Sequence, residues 1–370
     1  MAKLLFVVTE DWYFVSHRLP LAIAALNQGY EVVVAAREGK SADVIRGAGI
    51  RLAPLQLSRR MGNPLAEVLM LWHLYRQERP DLVHHVALKP VMFGALARLL
   101  AGVPAQVNAV AGLGWLFTTS RRLVRLIRPL IRRILAALLD RPSSITIVQN
   151  PEDFAVLNNA GIRKQRLCLI PGAGVDTVSF HPAPVPEGQV CIMLVSRMLR
   201  DKGVGEFVEA ASILAGKGVK ARFILVGDPD SANPASIPES VLRDWHGKNG
   251  VEWWGRREDM AKVWQSAHIA CLPSYREGMP KSLLEASACG LPIVTTDVPG
   301  CRDVVNDGVE GLLVPARDAA ALAAAIGWLI DDAQERSRMG ENSRARAIGE
   351  FSQEKIIART LAVYGEVLGR

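Results

Sequence analysis

The sequence predicts an α/β protein of two doubly wound parallel-sheet domains, and three observations carry that reading. Short runs of almost uninterrupted Val, Ile, Leu and Ala alternate with stretches of helical length, the pattern of strands buried on both faces and their crossover helices. The alternation halts at a proline-rich stretch, residues 180–188, and then begins again. The 370 residues are 49% hydrophobic and 22% charged, which suits a globular chain of two domains and excludes disordered, collagenous and coiled-coil classes.

Taken in order, residues 4–9 are the first strand, residues 11–18 the first loop, and residues 19–28 a helix ended by Gly29. Residues 31–36 read as a strand, 41–47 as a helix, 51–57 as a strand and 64–77 as a helix. A strand at 82–85, a helix at 91–101, a strand at 105–109, a helix at 123–139 and a strand at 145–149 complete the first half. The prolines that follow suit neither a strand nor a helix interior. Beyond them, strands are expected at 190–195, 221–226, 251–253, 269–272, 292–295 and 311–314, with helices between. The expected domains are 1–170 and 188–351, joined by a linker at 171–187, with an amphipathic helix in the closing segment 352–370. Ligands of such sheets bind beyond the carboxyl ends of the strands, and two facing sheets make a cleft suited to a small molecule.

The net charge of +7 is unevenly spread. Residues 1–188 carry 22 Lys and Arg against 13 Asp and Glu, while residues 189–370 carry 22 against 24. An anionic partner therefore belongs to the first half. The five cysteines, Cys168, Cys191, Cys271, Cys289 and Cys301, are odd in number and form no C-x-x-C pair, as expected of thiols in a reducing compartment. The opening apolar run has acids directly after it and reads as a strand, not a signal peptide. No stretch reaches 18 uninterrupted apolar residues, so the chain is expected in the cytoplasm.

The chemistry concentrates in residues 274–298, SYREGMPKSLLEASACGLPIVTTDV. Pro280 suits the first turn of a helix. The amides of residues 280–283 would then point from a strand end with the partial positive charge that binds phosphate. Glu277 just before that helix and Glu285 within it could hold hydroxyls on either side of a diphosphate. The same spacing fits a plainly capped helix with one solvated carboxylate. Residues 194–203, LVSRMLRDKG, offer Arg197 and Lys202 after a strand, either as diphosphate cations or as a solvated basic loop. In residues 170–180, IPGAGVDTVSF, the glycines allow close backbone approach to a ligand. Asp228-Pro229-Asp230 spells a metal-binding D-x-D, but its position between a strand and an Asn/Pro/Ser loop reads as a turn.

In combination, G-x-G-V-D, S-R-x-x-x-x-K-G and a Glu-x7-Glu inside A-x-x-C-G-L-P-I-V-T-T resemble glycosyltransferase family four, over nearly the whole chain. Within that family the R-E-G-M-P-K-S-L-L-E-A segment looks most like bacterial enzymes extending polyprenyl-diphosphate-linked saccharides. Residues 16–21, 84–90 and 111–117 point the same way. The resemblance implies the GT-B fold: two Rossmann-like domains facing across a cleft, with the last helix packing back on the first. It implies a retaining transferase that uses a nucleotide diphosphate sugar, with UDP as the base carrier, and no metal or other cofactor.

Carried over by residue, the resemblance makes Arg197, Lys202 and Glu277 the catalytic group. Glu277 would meet hydroxyls of the donor sugar, and the backbone of Gly278, Met279, Pro280 and Lys281 would touch the sugar. The amides of Ser282 and Leu283 would meet the distal phosphate, and Glu285 the ribose. Gly174 belongs to the glycine turn of the donor site, and Gly255 and Arg256 to its nucleobase end. The chain departs from the family in its first loop, which lacks a Gly-Gly pair, and at Ala111-Gly112, where relatives place a histidine. Ser16, His17, Arg18, His85, Lys89 and Gly112 are therefore candidates for the acceptor side, with His17, His85 and Lys89 as substitutes for the absent histidine. A nucleotide-sugar 2-epimerase of the same architecture and an inactive membrane-associated scaffold are the rival readings.

Residues 120–139, SRRLVRLIRPLIRRILAALL, hold Arg121, Arg122, Arg125, Arg128, Arg132 and Arg133. Arg121, Arg125, Arg128 and Arg132 share one helical face, opposite leucines and isoleucines. Such a face suits an anionic bilayer, or is the solvated side of a packed helix. Pro129 kinks or begins the helix. Nucleic acid is not expected, because aromatic side chains do not interleave the basic ones. The expected partners are thus a nucleotide sugar, a lipid-linked saccharide and the inner face of the cytoplasmic membrane.

Overall fold

The computed structural model describes residues 1–57, 62–110, 112 and 122–369, and for 122–128 the helical backbone alone. They form two compact units, Met1–Ala173 with Ile356–Arg370, and Gly174–Lys355. The expected linker at 171–187 is divided at Ala173, and its proline-rich part lies within the second unit.

The first unit holds a seven-stranded parallel sheet of order β3-β2-β1-β4-β5-β6-β7. Its strands are β1 (Lys3–Glu10), β2 (Glu31–Arg37), β3 (Arg51–Pro54), β4 (Leu82–Val86), β5 (Ala105–Val110), β6 (Ser144–Val148) and β7 (Leu167–Leu169). Every residue of β4, β5 and β6 is buried, which explains why these runs lack polar alternation. The helices between them are α1 (Asp11–His17), α2 (Leu19–Asn27), α3 (Ala42–Gly47), α4 (Pro64–Glu78), α5 (Leu88–Ala101), α6 (Arg122–Leu139) and α7 (Pro151–Asn159).

Four of these elements differ from expectation. Residues 11–17 are helical, not a loop, because the buried Asp11 carboxylate accepts the amides of Gly39 at 2.7 Å and Ser41 at 3.0 Å and pins the turn. α5 starts three residues early, with Pro90 in its first turn, so Lys89 is helical. α7 and β7 were not anticipated. α7 is capped by Asn150, whose side chain accepts from Asp153 N at 2.8 Å, with Pro151 beginning the helix.

The second unit holds a six-stranded parallel sheet of order β10-β9-β8-β11-β12-β13. Its strands are β8 (Cys191–Val195), β9 (Arg222–Val226), β10 (Val251–Gly255), β11 (Ile269–Leu272), β12 (Ile293–Thr296) and β13 (Gly311–Val314). Around them lie α8 (Val204–Gly216), α9 (Glu239–Trp245), α10 (Met260–Gln265), α11 (Lys281–Ala288), α12 (Ala319–Asp331) and α13 (Ala333–Arg346). Asp318 and Asp332 cap the last two, accepting from Ala321 N at 2.8 Å and Glu335 N at 3.0 Å. Gly311 opens β13 because a Cβ there would stand 1.8 Å from the Ile293 carbonyl oxygen.

The chain then returns to the first unit through α14 (Gln353–Leu368), whose Ile356, Leu361, Val363, Tyr364 and Val367 join the core beneath β1, β2 and β4. This is the predicted closing helix with a buried stripe of helical period. Among the described residues, no helix is long and apolar enough to cross a membrane.

Candidate active site

Apart from Gly174, the expected donor residues come from the carboxyl ends of three strands of the second sheet, β10, β8 and β11, with β9 between the first two. After β8 come Arg197 and a 3₁₀ turn, Arg200–Lys202, closed by Gly203 at φ 71°. Only glycine fits there, since a Cβ would lie 2.0 Å from the Pro273 carbonyl oxygen. That close approach lays the β8 loop against the loop after β11. Tyr275 N donates to Asp201 O at 2.9 Å and the Lys202 ammonium pairs with Glu277, which fastens the two loops. Ser274 Oγ donates to the same Glu277 Oε1 at 2.6 Å. Both charged side chains of the pair are largely covered, 20% exposed for Lys202 and 12% for Glu277. The two residues that were 75 positions apart in sequence are thus one hydrogen-bonded group.

Glu277 is also held from behind. Its amide donates to Pro299 O at 3.1 Å, and Gly300 passes so close that a Cβ would be 2.6 Å from Glu277 O. Three residues on, Pro280 caps α11, and Leu283 N donates to Pro280 O at 3.0 Å. The Leu283 amide, expected to meet a phosphate, is therefore engaged in the first turn, and its side chain is fully buried. Helix geometry leaves the amides of Lys281 and Ser282 as the outward donors. Gly278 and Met279 lie in the intervening loop, with Met279 packed partly against the core. Glu285 is 7% exposed, receives a bond from Trp264 Nε1 at 3.3 Å and pairs with Lys281 Nζ at 3.2 Å.

The remaining donor candidates sit on either flank. Arg197 Nη1 donates to Asp230 Oδ2 at 2.6 Å, a partner that sequence spacing did not suggest. Gly255 ends β10 at φ 67°, and Arg256 N donates to Asp228 Oδ1 at 3.0 Å. Gly174, at φ 75°, precedes Val175, whose backbone exchanges bonds of 2.9 Å with Phe351 O and Gln353 N. Sequence reasoning also missed Tyr275. Its hydroxyl donates to Glu206 Oε1 of α8 at 2.5 Å, and the Arg317 guanidinium lies 4.4 Å from its ring centroid. Burial and the Glu206 carboxylate push this phenol up to about 12. Among the described residues no cluster of His, Cys, Asp and Glu could hold a metal ion.

The acceptor-side candidates come from carboxyl ends of β1, β4 and β5, which are neighbours in the first sheet. Ser16 is exposed at the end of α1, His17 stacks on Tyr13 with ring centroids 4.2 Å apart, and Arg18 is 5% exposed. Gly112 lies just past β5 at φ 89°. Lys89 pairs with the buried Glu67 of α4 at 2.6 Å. His85 corrects an expectation: it is fully buried, with Nε2 2.9 Å from the Tyr75 hydroxyl and Nδ1 2.8 Å from Asn108 Oδ1. Gly94 of α5 crosses so tightly over the ring that a Cβ would meet it at 2.4 Å. Burial holds His85 at about 4, so it is a neutral residue of the core.

Of the basic segment, Arg121 lies outside the described residues, as do the side chains of Arg122, Arg125 and Arg128. Pro129 is accommodated inside α6. Arg132 is half-buried, while Arg133 is exposed beside exposed Leu130 and Ile134.

Two family models match the chain. One, described as glycosyl transferase 4-like, covers residues 3–149, and the other, glycosyl transferases group 1, covers residues 189–332. A Campylobacter jejuni protein named N,N'-diacetylbacillosaminyl-diphospho-undecaprenol alpha-1,3-N-acetylgalactosaminyltransferase is 27% identical over 95% of both chains. An Escherichia coli UDP-Gal:alpha-D-GlcNAc-diphosphoundecaprenol alpha-1,3-galactosyltransferase is 24% identical over 81% of this chain and 79% of its own. Among solved structures, Anabaena HepE in complex with UDP and glucose superposes with a TM-score of 0.79 at 20% identity, covering 98% of this chain and all of its own. That likeness establishes the GT-B architecture of two parallel-sheet domains.

Proposed function

The chain belongs to the glycosyltransferases that these two family models describe, and on that premise we propose that it is a retaining transferase needing no metal. It would move a hexose or N-acetylhexosamine from a UDP-linked donor to a polyprenyl-diphosphate-linked saccharide. The observation that carries the reading is the grouping of Lys202, Glu277 and the start of α11 at the carboxyl ends of the neighbouring strands β8 and β11. The printed substrates of the Campylobacter and Escherichia relatives support the acceptor class, and the UDP bound to HepE supports the donor class.

The chemistry follows from charge. The bond between the anomeric carbon and the diphosphate breaks while one to the acceptor hydroxyl oxygen forms on the same face of the sugar. The acceptor's proton passes to the departing phosphate oxygen. Negative charge grows on that diphosphate, where Arg197, Lys202 and the amides of Lys281 and Ser282 would be preorganised to stabilise it. Glu277, fixed by Lys202 and Ser274, would orient sugar hydroxyls. The paired carboxylates of glycosidases are not required for this route.

Titration with UDP, together with a transfer assay using UDP-hexose and UDP-N-acetylhexosamine donors and a polyprenyl-diphosphate saccharide, tests the proposal. Lys202→Ala and Glu277→Ala are each expected to lower kcat/KM by about 100-fold or more. Unchanged transfer in both would overturn the donor site. Conversion of the donor sugar without acceptor would instead identify an epimerase. The reading extends to a peripheral position on the inner face of the cytoplasmic membrane, supported by the excess of positive charge in residues 1–188 and the exposed Leu130, Arg133 and Ile134. Changing Arg121, Arg125, Arg128 and Arg132 to Gln is expected to reduce sedimentation with anionic vesicles, and salt-insensitive, unaltered binding would oppose it.

A further inference from the structure

Asp228-Pro229-Asp230 lies between the two ends of the donor site. β9, which delivers it, sits between β8 and β10 in the sheet, so its loop separates the Arg197 loop from the Gly255–Arg256 turn. Asp228 is bonded in both directions. Its carbonyl accepts the Met198 amide at 3.0 Å on the β8 side, and its Oδ1 accepts the Arg256 amide at 3.0 Å on the β10 side. Gly227, one residue earlier, donates to Gly255 O at 2.8 Å and accepts from Trp253 Nε1 at 2.8 Å. Its φ of 134° and a Cβ position 1.9 Å from Ser196 O leave no room for a side chain. The strand ends are locked in register by this residue.

Asp230 is equally anchored. Its amide donates to Ser236 Oγ at 3.0 Å, and Oδ1 accepts from Ala232 N at 3.3 Å. The loop then turns back on the β8 loop, where Arg200 N donates to Ala235 O at 2.9 Å and Ile237 N to Met198 O at 2.9 Å. A carboxylate so fixed holds one nitrogen of Arg197 and leaves the guanidinium's remaining N–H vectors set by its planar fork.

We propose that Asp228 and Asp230 are positioning residues that set the spacing between the diphosphate-binding Arg197 and the nucleobase-binding Gly255–Arg256 turn. The proposal rests on the donor-site reading above and adds to it: the two carboxylates act on protein donors, so the nucleotide meets a preset pair of contacts. Ordering these loops before binding removes an entropic cost from association.

The test is titration calorimetry of the full-length protein with UDP and with UMP, which lacks the distal phosphate, and donor kinetics alongside. Asp230→Asn removes the charge that holds Arg197 and is expected to weaken UDP about tenfold, with UMP affected less than about threefold. Asp228→Ala is expected to weaken UDP and UMP alike, about tenfold, and Asp228→Asn, which keeps the Oδ1 acceptor, to restore both. In kinetics both variants are expected to lose donor kcat/KM, Asp230→Asn in kcat as well as KM because Arg197 meets the charge that grows on the diphosphate, and Asp228→Ala mainly in KM. Arg197→Ala and Asp230→Asn combined are expected to cost no more than Arg197→Ala alone. Unchanged or tighter UDP binding by Asp230→Asn would make Asp230 a competitor of the diphosphate and overturn the proposal. So would a loss in Asp228→Ala that spares UMP. If Asp228→Ala fails to fold, the Asp230→Asn and Arg197→Ala pair decides alone. Unaltered UDP binding by Arg197→Ala would instead remove the donor-site reading itself.

Discussion

His85 was one of three candidate substitutes for a histidine absent at Ala111-Gly112, and its surroundings assign it to the core. The sequence LVHHV of β4 puts adjacent histidines on opposite faces of the sheet. His84 meets Tyr364 of α14, whereas His85 meets Tyr75 of α4. Both are fully buried, and burial lowers both. The held value for His85, about 4, lies below the ordinary 6.5, so the unfolded chain takes up a proton first as pH falls. The contribution is complete above about pH 6.5 and is lost between there and pH 4, amounting to about 3 kcal/mol. Denaturant unfolding at pH 7 and pH 4.5 should show that loss, and His85→Gln should shrink it; an unchanged pH dependence would exclude His85 as its source. Lys202 and Glu277 were each legible as candidates because each sat in a motif with its own spacing. Their pairing, and that of Arg197 with Asp230, was not, because 75 and 33 residues separate partners of opposite charge that sequence alone leaves unpaired.

At the scale of elements, the long buried strands were legible and the short ones were not. β7 has three residues, too few to show a period, and α1 has seven, opening with Asp and three aromatic residues in its first four. What stabilises each is tertiary: the Asp11 bonds to the β2 loop for α1, and pairing with β6 for β7. A further unforeseen feature lies where β4 passes into α5. Ala87 has φ 75° and ψ 161°, a conformation suited to glycine, held by its amide bond to Ala109 O at 3.0 Å and by Val91 N at 3.1 Å. Such a residue stores about 1–3 kcal/mol of strain. Ala87→Gly is therefore expected to raise the unfolding free energy by about 1 kcal/mol, after the greater entropy of glycine in the unfolded chain is subtracted. A lower denaturation midpoint would refute the strain.

For the whole molecule, two sheets and their switch from one to the next were readable from the restart after the prolines. A proline run marks a break in regular structure, not the surface at which contacts change, and the change falls at Ala173 and again at Lys355. The core of the first unit is completed by Tyr364, fully buried between His84 and Tyr30. Tyr364→Ala is expected to cost about 3–5 kcal/mol and to strip hydrogen-exchange protection from β1, β2 and β4 while β8, β11 and β12 keep theirs. Equal loss in both sheets would show that they open together. The returning helix also orders events during synthesis. A ribosome completes the whole of residues 174–352 before it releases the last side chains that the opening strands need. The earliest-made sheet therefore waits longest for its final contacts, with its apolar floor exposed to chaperones throughout elongation.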